Sequence, residues 1–175
     1  MLIYDALKSD HRKMKGLLNR LTQSADSPSE SRTELIGEIR DELIPHSRAE
    51  EAVLYNSLRQ IPEASGSVAH SYVEHMEAEA LLRTLQAMDA LDVNWTGVAK
   101  KLKDALDHHI AEEEGLIFDT ARQVLARDEA HAMTLAFEQM KPEVREGSLL
   151  KSTLDLVANV MPPRFSESLR NFVHS

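Results

Sequence analysis

Two four-residue steps, His46 to Glu50 and His109 to Glu113, each pair an imidazole with a carboxylate at a spacing that puts both on one face of a helix. The dress around them repeats. His46-Ser47-Arg48-Ala49-Glu50-Glu51 is followed by an aromatic at Tyr55, and His109-Ile110-Ala111-Glu112-Glu113-Glu114 by another at Phe118. Imidazole and carboxylate without thiolate suit a transition metal of intermediate hardness. Iron is favoured, with manganese or zinc as possible alternatives.

Four long helices must position these steps. The first runs from about Ile3 to Ser24, with Leu7, His11, Met14, Leu18 and Leu21 inward. A polar loop follows, and Ser27-Pro28-Ser29-Glu30 reads as a capping box with proline at the first helical position. The second helix ends near Gln60 and turns Ile36, Ile39, Leu43, His46, Glu50 and Val53 inward. Pro45 lies inside it and removes one backbone hydrogen bond. Pro62 to Ser67 reads as a turn. The third helix then runs from about Ser67 to Ala90, with Val68, Tyr72, His75, Ala78 or Glu79, and Leu82 inward. After a turn and cap at Asp92-Val93-Asn94, the fourth runs from Trp95 to about Ala126, with Ala99, Leu102, Leu106, His109, Glu113 and Leu116 inward. Long helices joined by short loops make antiparallel neighbours, so the expected fold is all-α, an up-down-up-down four-helix bundle.

The chain also repeats internally. Asp10-His11 precedes Leu17-Leu18 as Glu74-His75 precedes Leu81-Leu82, and His11 to His46 spans almost the same distance as His75 to His109. Two copies of one hairpin, related by a pseudo-two-fold axis, would bring four histidines and two glutamates into one core layer. Each buried polar group costs on the order of 1–3 kcal/mol unless satisfied, and an unpaired carboxylate costs more. A metal cluster is the common partner that satisfies all six. Two histidines and one carboxylate per hairpin suit two metals, with Glu50 and Glu113 bridging them. A solvent-derived oxo or hydroxo group would complete the bridge and leave positions open to a small molecule.

This pattern resembles the hemerythrin-like family, also called the HHE cation-binding domain, over about residues 1–125. The opening Ile3-Tyr4-Asp5-Ala6-Leu7-Lys8-Ser9-Asp10-His11 is typical of it. The resemblance implies a di-iron centre with His11, His46, Glu50, His75, His109 and Glu113 as ligands. It also implies a small diatomic ligand or peroxide as the reaction partner. Oxygen-carrying members pair a further histidine four residues from another on the third helix. Here Ser71 and Glu79 flank His75 at that step, which turns the expectation from oxygen carriage toward sensing or redox reaction. Glu79 could add a carboxylate ligand, but its repeat counterpart is Lys15, which favours an ordinary charged role.

Other pairs match the step as well: His70 with Glu74, His75 with Glu79, and His108 with Glu112. His108 is about 100° around the helix from His109, and His70 about 140° from His75, so both histidines read as surface residues. Glu51 and Glu114 recur, either as acceptors for the second nitrogen of a metal-bound imidazole or as solvated carboxylates beside the ligand. Tyr55 and Phe118 read as core packing.

Residues 1–126 thus form the bundle and 127–175 a helical extension. A fifth helix spans Asp128 to Lys141 and ends at Lys141-Pro142. Further helical stretches cover Ser148–Val160 and the segment carrying Phe165, Leu169 and Phe172. The extension packs on the bundle or forms a homodimer surface. A net charge of −9 argues against a nucleic-acid partner. The absence of cysteine excludes thiolate sites. No apolar run is long enough to span a membrane, and no apolar signal core opens the chain, so the expected location is cytoplasmic. The functional expectation is a non-haem di-iron protein that binds, senses or reacts with oxygen, nitric oxide or peroxide, with an oxidoreductase as the enzymatic form. The alternative is a helical interaction or regulatory module with a structural or iron-storage metal. A ferritin-like oxidase is disfavoured, because no Glu is followed by His at the third position.

Overall fold

The computed structural model describes residues 1–25, 28–88, 92–145, 160–162 and 164–165, and these contain helices and turns but no strand. Helix α1 spans Ile3–Gln23. Its first turn is held by Asp5, whose carboxylate accepts from the Leu2 backbone N–H at 3.0 Å. Helix α2 starts after Pro28, spans Ser29–Glu50 with Pro45 inside it, and continues through a π-helical turn at Glu51–Tyr55 to Asn56–Leu58. Helix α3 spans Pro62–Ala87. Helix α4 spans Trp95–Glu112 and continues through a second π-helical turn, Glu113–Ile117, into Phe118–Val124. Helix α5 spans Arg127–Arg145.

The first four helices pack as the expected antiparallel bundle, and α5 lies against α1 and α2. Two apolar cores fill it. One gathers Met14, Leu18, Leu21, Ile39, Leu82, Trp95, Leu102 and Leu106. The other gathers Ile3, Leu7, Leu54, Tyr55, Leu58, Val68 and Phe118, with Phe137 from α5 and with Met161 and Phe165. A polar layer of histidine and glutamate separates the two.

Several boundaries differ from the sequence reading, each for a local reason. Helix α3 begins at Pro62 rather than Ser67, because a proline at the first helical position lacks only an N–H that would have no partner there. Before α4, the Asp92 carboxylate accepts from the Asn94 N–H at 2.8 Å, while the Asn94 side chain makes no cap bond. Helix α5 continues through Pro142 to Arg145 instead of stopping at Lys141. Leu116, expected inward, is 59% exposed, and Ile117 is buried in its place. The cause is the π turn: one extra residue per turn rotates everything after it. Ser27 of the expected capping box, most of the stretch from Ser148 to Val160, and Leu169, Phe172 and His174 lie outside the described residues.

Candidate metal centre

The structure brings His11, His46, Glu50, His75, His109 and Glu113 into the polar layer, and all six are buried. His11 and His75 come from α1 and α3. The other four come from α2 and α4, just before or at the start of the π turns. Their inward atoms approach closely. His75 Nε2 and His109 Nε2 are 3.0 Å apart. His11 Nε2 lies 3.2 Å from Glu113 Oε2, and Glu50 Oε2 lies 3.6 Å from His46 Nε2 and 3.5 Å from His75 Nε2. Within this layer His11, His46 and Glu50 form one group of ligand atoms, and Glu50, His75 and His109 form another. Glu50 is therefore common to both, as a bridging carboxylate would be.

The outward nitrogens show why the rings point this way. Each Nδ1 meets a carboxylate oxygen: His11 with Glu114 at 2.9 Å, His46 with Asp10 at 3.2 Å, His75 with Glu51 at 2.9 Å and His109 with Glu74 at 2.9 Å. A proton on Nδ1 leaves Nε2 as a lone-pair donor facing inward, which is the tautomer a metal requires. The arrangement obeys the pseudo-two-fold repeat and crosses it. Glu51 of the first hairpin serves His75 of the second, and Glu114 of the second serves His11 of the first. Asp10 and Glu74, each one residue before an α1 or α3 histidine, serve the histidines of the neighbouring helices. Sequence reasoning left Glu51 and Glu114 open and assigned no role to Asp10 or Glu74. The repeated acid-before-histidine, Asp10-His11 and Glu74-His75, was the available signal.

Aromatic rings complete the symmetry. Tyr55 stacks on His75 at 5.4 Å between centroids and Phe118 on His11 at 6.3 Å. Phe137 of α5 meets His46 edge-on at 5.9 Å. Glu79 is turned away from the layer: its carboxylate accepts from Arg48 at 2.6 Å and from Arg83 at 2.5 Å. Ser71, at the other position flanking His75, is buried beside the Tyr55 hydroxyl. His70 and His108 are exposed, as expected, and so is His131, whose ring meets the Met1 carbonyl.

The electrostatics of the layer fit a cation. Glu50 and Glu113 are both fully buried, and none of their four oxygens, nor His11 Nε2, makes a hydrogen bond of good geometry. Burial first, and then the charge of Glu113, push Glu50 well above the usual carboxylate range. Burial would raise Glu113 too, but its closeness to the Glu50 carboxyl and the His11 imidazole outweighs burial and holds Glu113 low. Burial pushes His46 down to about 4 against the pull of Asp10. His11 is raised, because Glu113 and Glu114 outweigh its burial. Four imidazoles around two buried carboxylates whose oxygens lack hydrogen-bond partners have the donor set of a buried cluster of intermediate-hardness cations. A cavity of about 10 Å³ reaches all four imidazoles past Met14, Leu43, Leu106 and Ile110, room for about one water-sized molecule.

Known proteins share this chain's pattern. The model of the hemerythrin HHE cation binding domain matches residues 2–121. A protein of Nostoc sp. (strain PCC 7120) described as a DNA nickase is 27% identical over 146 residues, covering 83% of this chain and 41% of that protein. An uncharacterised hemerythrin-like protein of Schizosaccharomyces pombe is 27% identical over 141 residues, covering 79% of this chain and 68% of that protein. The chain thus spans less than half of the Nostoc relative. No solved structure matches significantly.

Proposed function

The chain belongs to the hemerythrin HHE cation-binding family, and we propose that within it this protein is a non-haem di-iron protein that binds, senses or reacts with oxygen, nitric oxide or peroxide. The observation that carries this reading is the convergence of four Nε2 atoms on two fully buried carboxylates, with every Nδ1 committed to an acceptor. His11, His46, His75 and His109 would hold two irons, with Glu50 and Glu113 between them. Iron there would supply one-electron redox chemistry and positions open to a small ligand.

The chain's own residues set the conditions for that chemistry. Glu114, Asp10, Glu51 and Glu74 fix each ring's tautomer and make the imidazoles more basic. The apolar lining of Met14, Leu43, Leu106 and Ile110 limits the approach to small species. Of the residues flanking His75, Glu79 is engaged by Arg48 and Arg83 and Ser71 is no imidazole, which supports sensing or reaction over oxygen carriage. The nickase activity of the Nostoc relative is not carried over, because a chain of net charge −9 is poorly suited to a polyanion.

The test is anaerobic iron loading followed by metal analysis and near-ultraviolet spectroscopy. About two irons per chain are expected, with charge-transfer bands that vanish on reduction. His46→Ala and Glu113→Ala should lose the bands while His108→Ala keeps them. Iron well below one per chain in the unmodified protein would defeat the proposal.

A further inference from the structure

The four carboxylates that accept from the buried imidazoles are not treated alike. Asp10 also binds the Lys141 ammonium at 2.7 Å. Glu51 binds the Arg48 guanidinium at 3.1 Å. Glu114 has Lys8 at 3.8 Å. Among the described residues, no lysine or arginine lies within 4 Å of Glu74. Its Oε2 takes the His109 Nδ1, but its Oε1 is buried without a hydrogen-bond partner, in a side chain only 10% exposed.

That orphan oxygen faces two imidazoles and a second carboxylate. His70 Nε2 is 3.6 Å from Glu74 Oε1 and 3.7 Å from Glu112 Oε2. His108 Nε2 is 3.8 Å from Glu74 Oε1 and 3.3 Å from Glu112 Oε1. These separations are long for hydrogen bonds. They are close to what a four-coordinate ion demands: donors about 2.1 Å from a metal at tetrahedral angles lie about 3.4 Å from one another. Ligand atoms of all four residues lie within 4.8 Å of each other. Two i,i+4 steps on antiparallel neighbours thus present two imidazoles and two carboxylates.

The first hairpin supplies an internal comparison. At the repeat positions matching His70, His108 and Glu112 stand Ala6, Pro45 and Ala49, all buried. Asp10, the match of Glu74, has its cation from Lys141 of α5. Among the described residues the second hairpin has no such lysine and instead carries donors.

We propose that His70, Glu74, His108 and Glu112 form a mononuclear site for a divalent first-row transition cation such as zinc. Glu74 is shared: one oxygen holds His109 of the buried layer and the other binds the outer cation. The outer ligands are exposed, so the ion exchanges directly with solvent.

Elemental analysis after saturation with iron and then zinc, followed by removal of weakly bound metal, tests this. The unmodified protein should hold one more cation per chain than His70→Ala or His108→Ala, while His131→Ala should match the unmodified protein. The readout is a difference of one, so it stands even if the buried layer takes no iron. Cobalt in place of zinc should give the intense visible bands of four-coordinate geometry, lost in the same two variants. Equal metal content in the unmodified protein and the His70 and His108 variants would overturn the proposal.

Discussion

The two hairpins are near copies at their inner faces and different at their outer ones. In both, a histidine on the first helix and a histidine and glutamate on the second line the polar layer, and an acid one residue before the first histidine serves its neighbour. Outside that shell the copies part. The α1–α2 hairpin is covered by α5, which sets Phe137 against His46 and Lys141 against Asp10. The corresponding face of α3–α4 is open and bears His70, His108 and Glu112. The difference teaches that a repeat conserves the residues that must converge, while the environment of the supporting carboxylates follows from whatever packs outside.

The largest expected effect breaks the shared part. Glu50→Gln should abolish iron loading at both positions, because Glu50 belongs to both groups of ligand atoms. In the metal-free protein the same change removes one of two fully buried carboxyl groups, the one that burial pushes up. It should therefore raise stability in denaturant melts near neutral pH, because an amide carries no charge that burial would oppose. A neutral or destabilising result would show that the pair is better solvated than its burial implies.

The covered hairpin comes next. Phe137→Ala should cost about 3–5 kcal/mol, since the side chain is fully buried, and it should perturb His46 more than His109.

Acid should act on both hairpins, since burial lowers His75 as it lowers His46. In the metal-free protein His46 binds its proton only near pH 4, whereas the unfolded chain does so near 6.5. Protons therefore favour unfolding as pH falls from about 6.5 to 4, by up to about 3 kcal/mol. The raised His11 works in the opposite sense, its stabilisation being present at low pH and lost as pH rises through its folded value. His46→Gln should flatten the acid limb of the stability curve, measured by melts at several pH values.

The smallest effects sharpen the symmetry. Asp10→Asn and Glu74→Gln should each weaken iron binding by about 10–100-fold, a cost common to acceptors behind a ligating histidine. Equal losses would mark the two as equivalent. A much larger loss at Asp10 would show that Lys141 strengthens its hold on His46.

Much of this was legible in the residues. Periodicity placed His11, His46, Glu50, His75, His109 and Glu113 inward, and helix geometry sent His70 and His108 outward. What escaped was set by local backbone and by the outer surface. A π turn has no simple sequence signature, so the outward rotation of Leu116 could not be read from heptad-like spacing. The pairing of Glu51 with His75 depends on crossing between hairpins, which no single-helix argument contains. Glu79 took the ordinary charged role that its repeat counterpart Lys15 favoured; Arg83 is its neighbour four residues along α3, and only the Arg48 contact waited on the packing of α2 against α3.

The most direct measurement is anomalous diffraction at the iron edge from crystals of the iron-loaded protein. Two peaks between Glu50 and Glu113, within bonding distance of His11, His46, His75 and His109, are the expected result. Iron found only among His70, Glu74, His108 and Glu112, with the buried layer empty, would contradict the account.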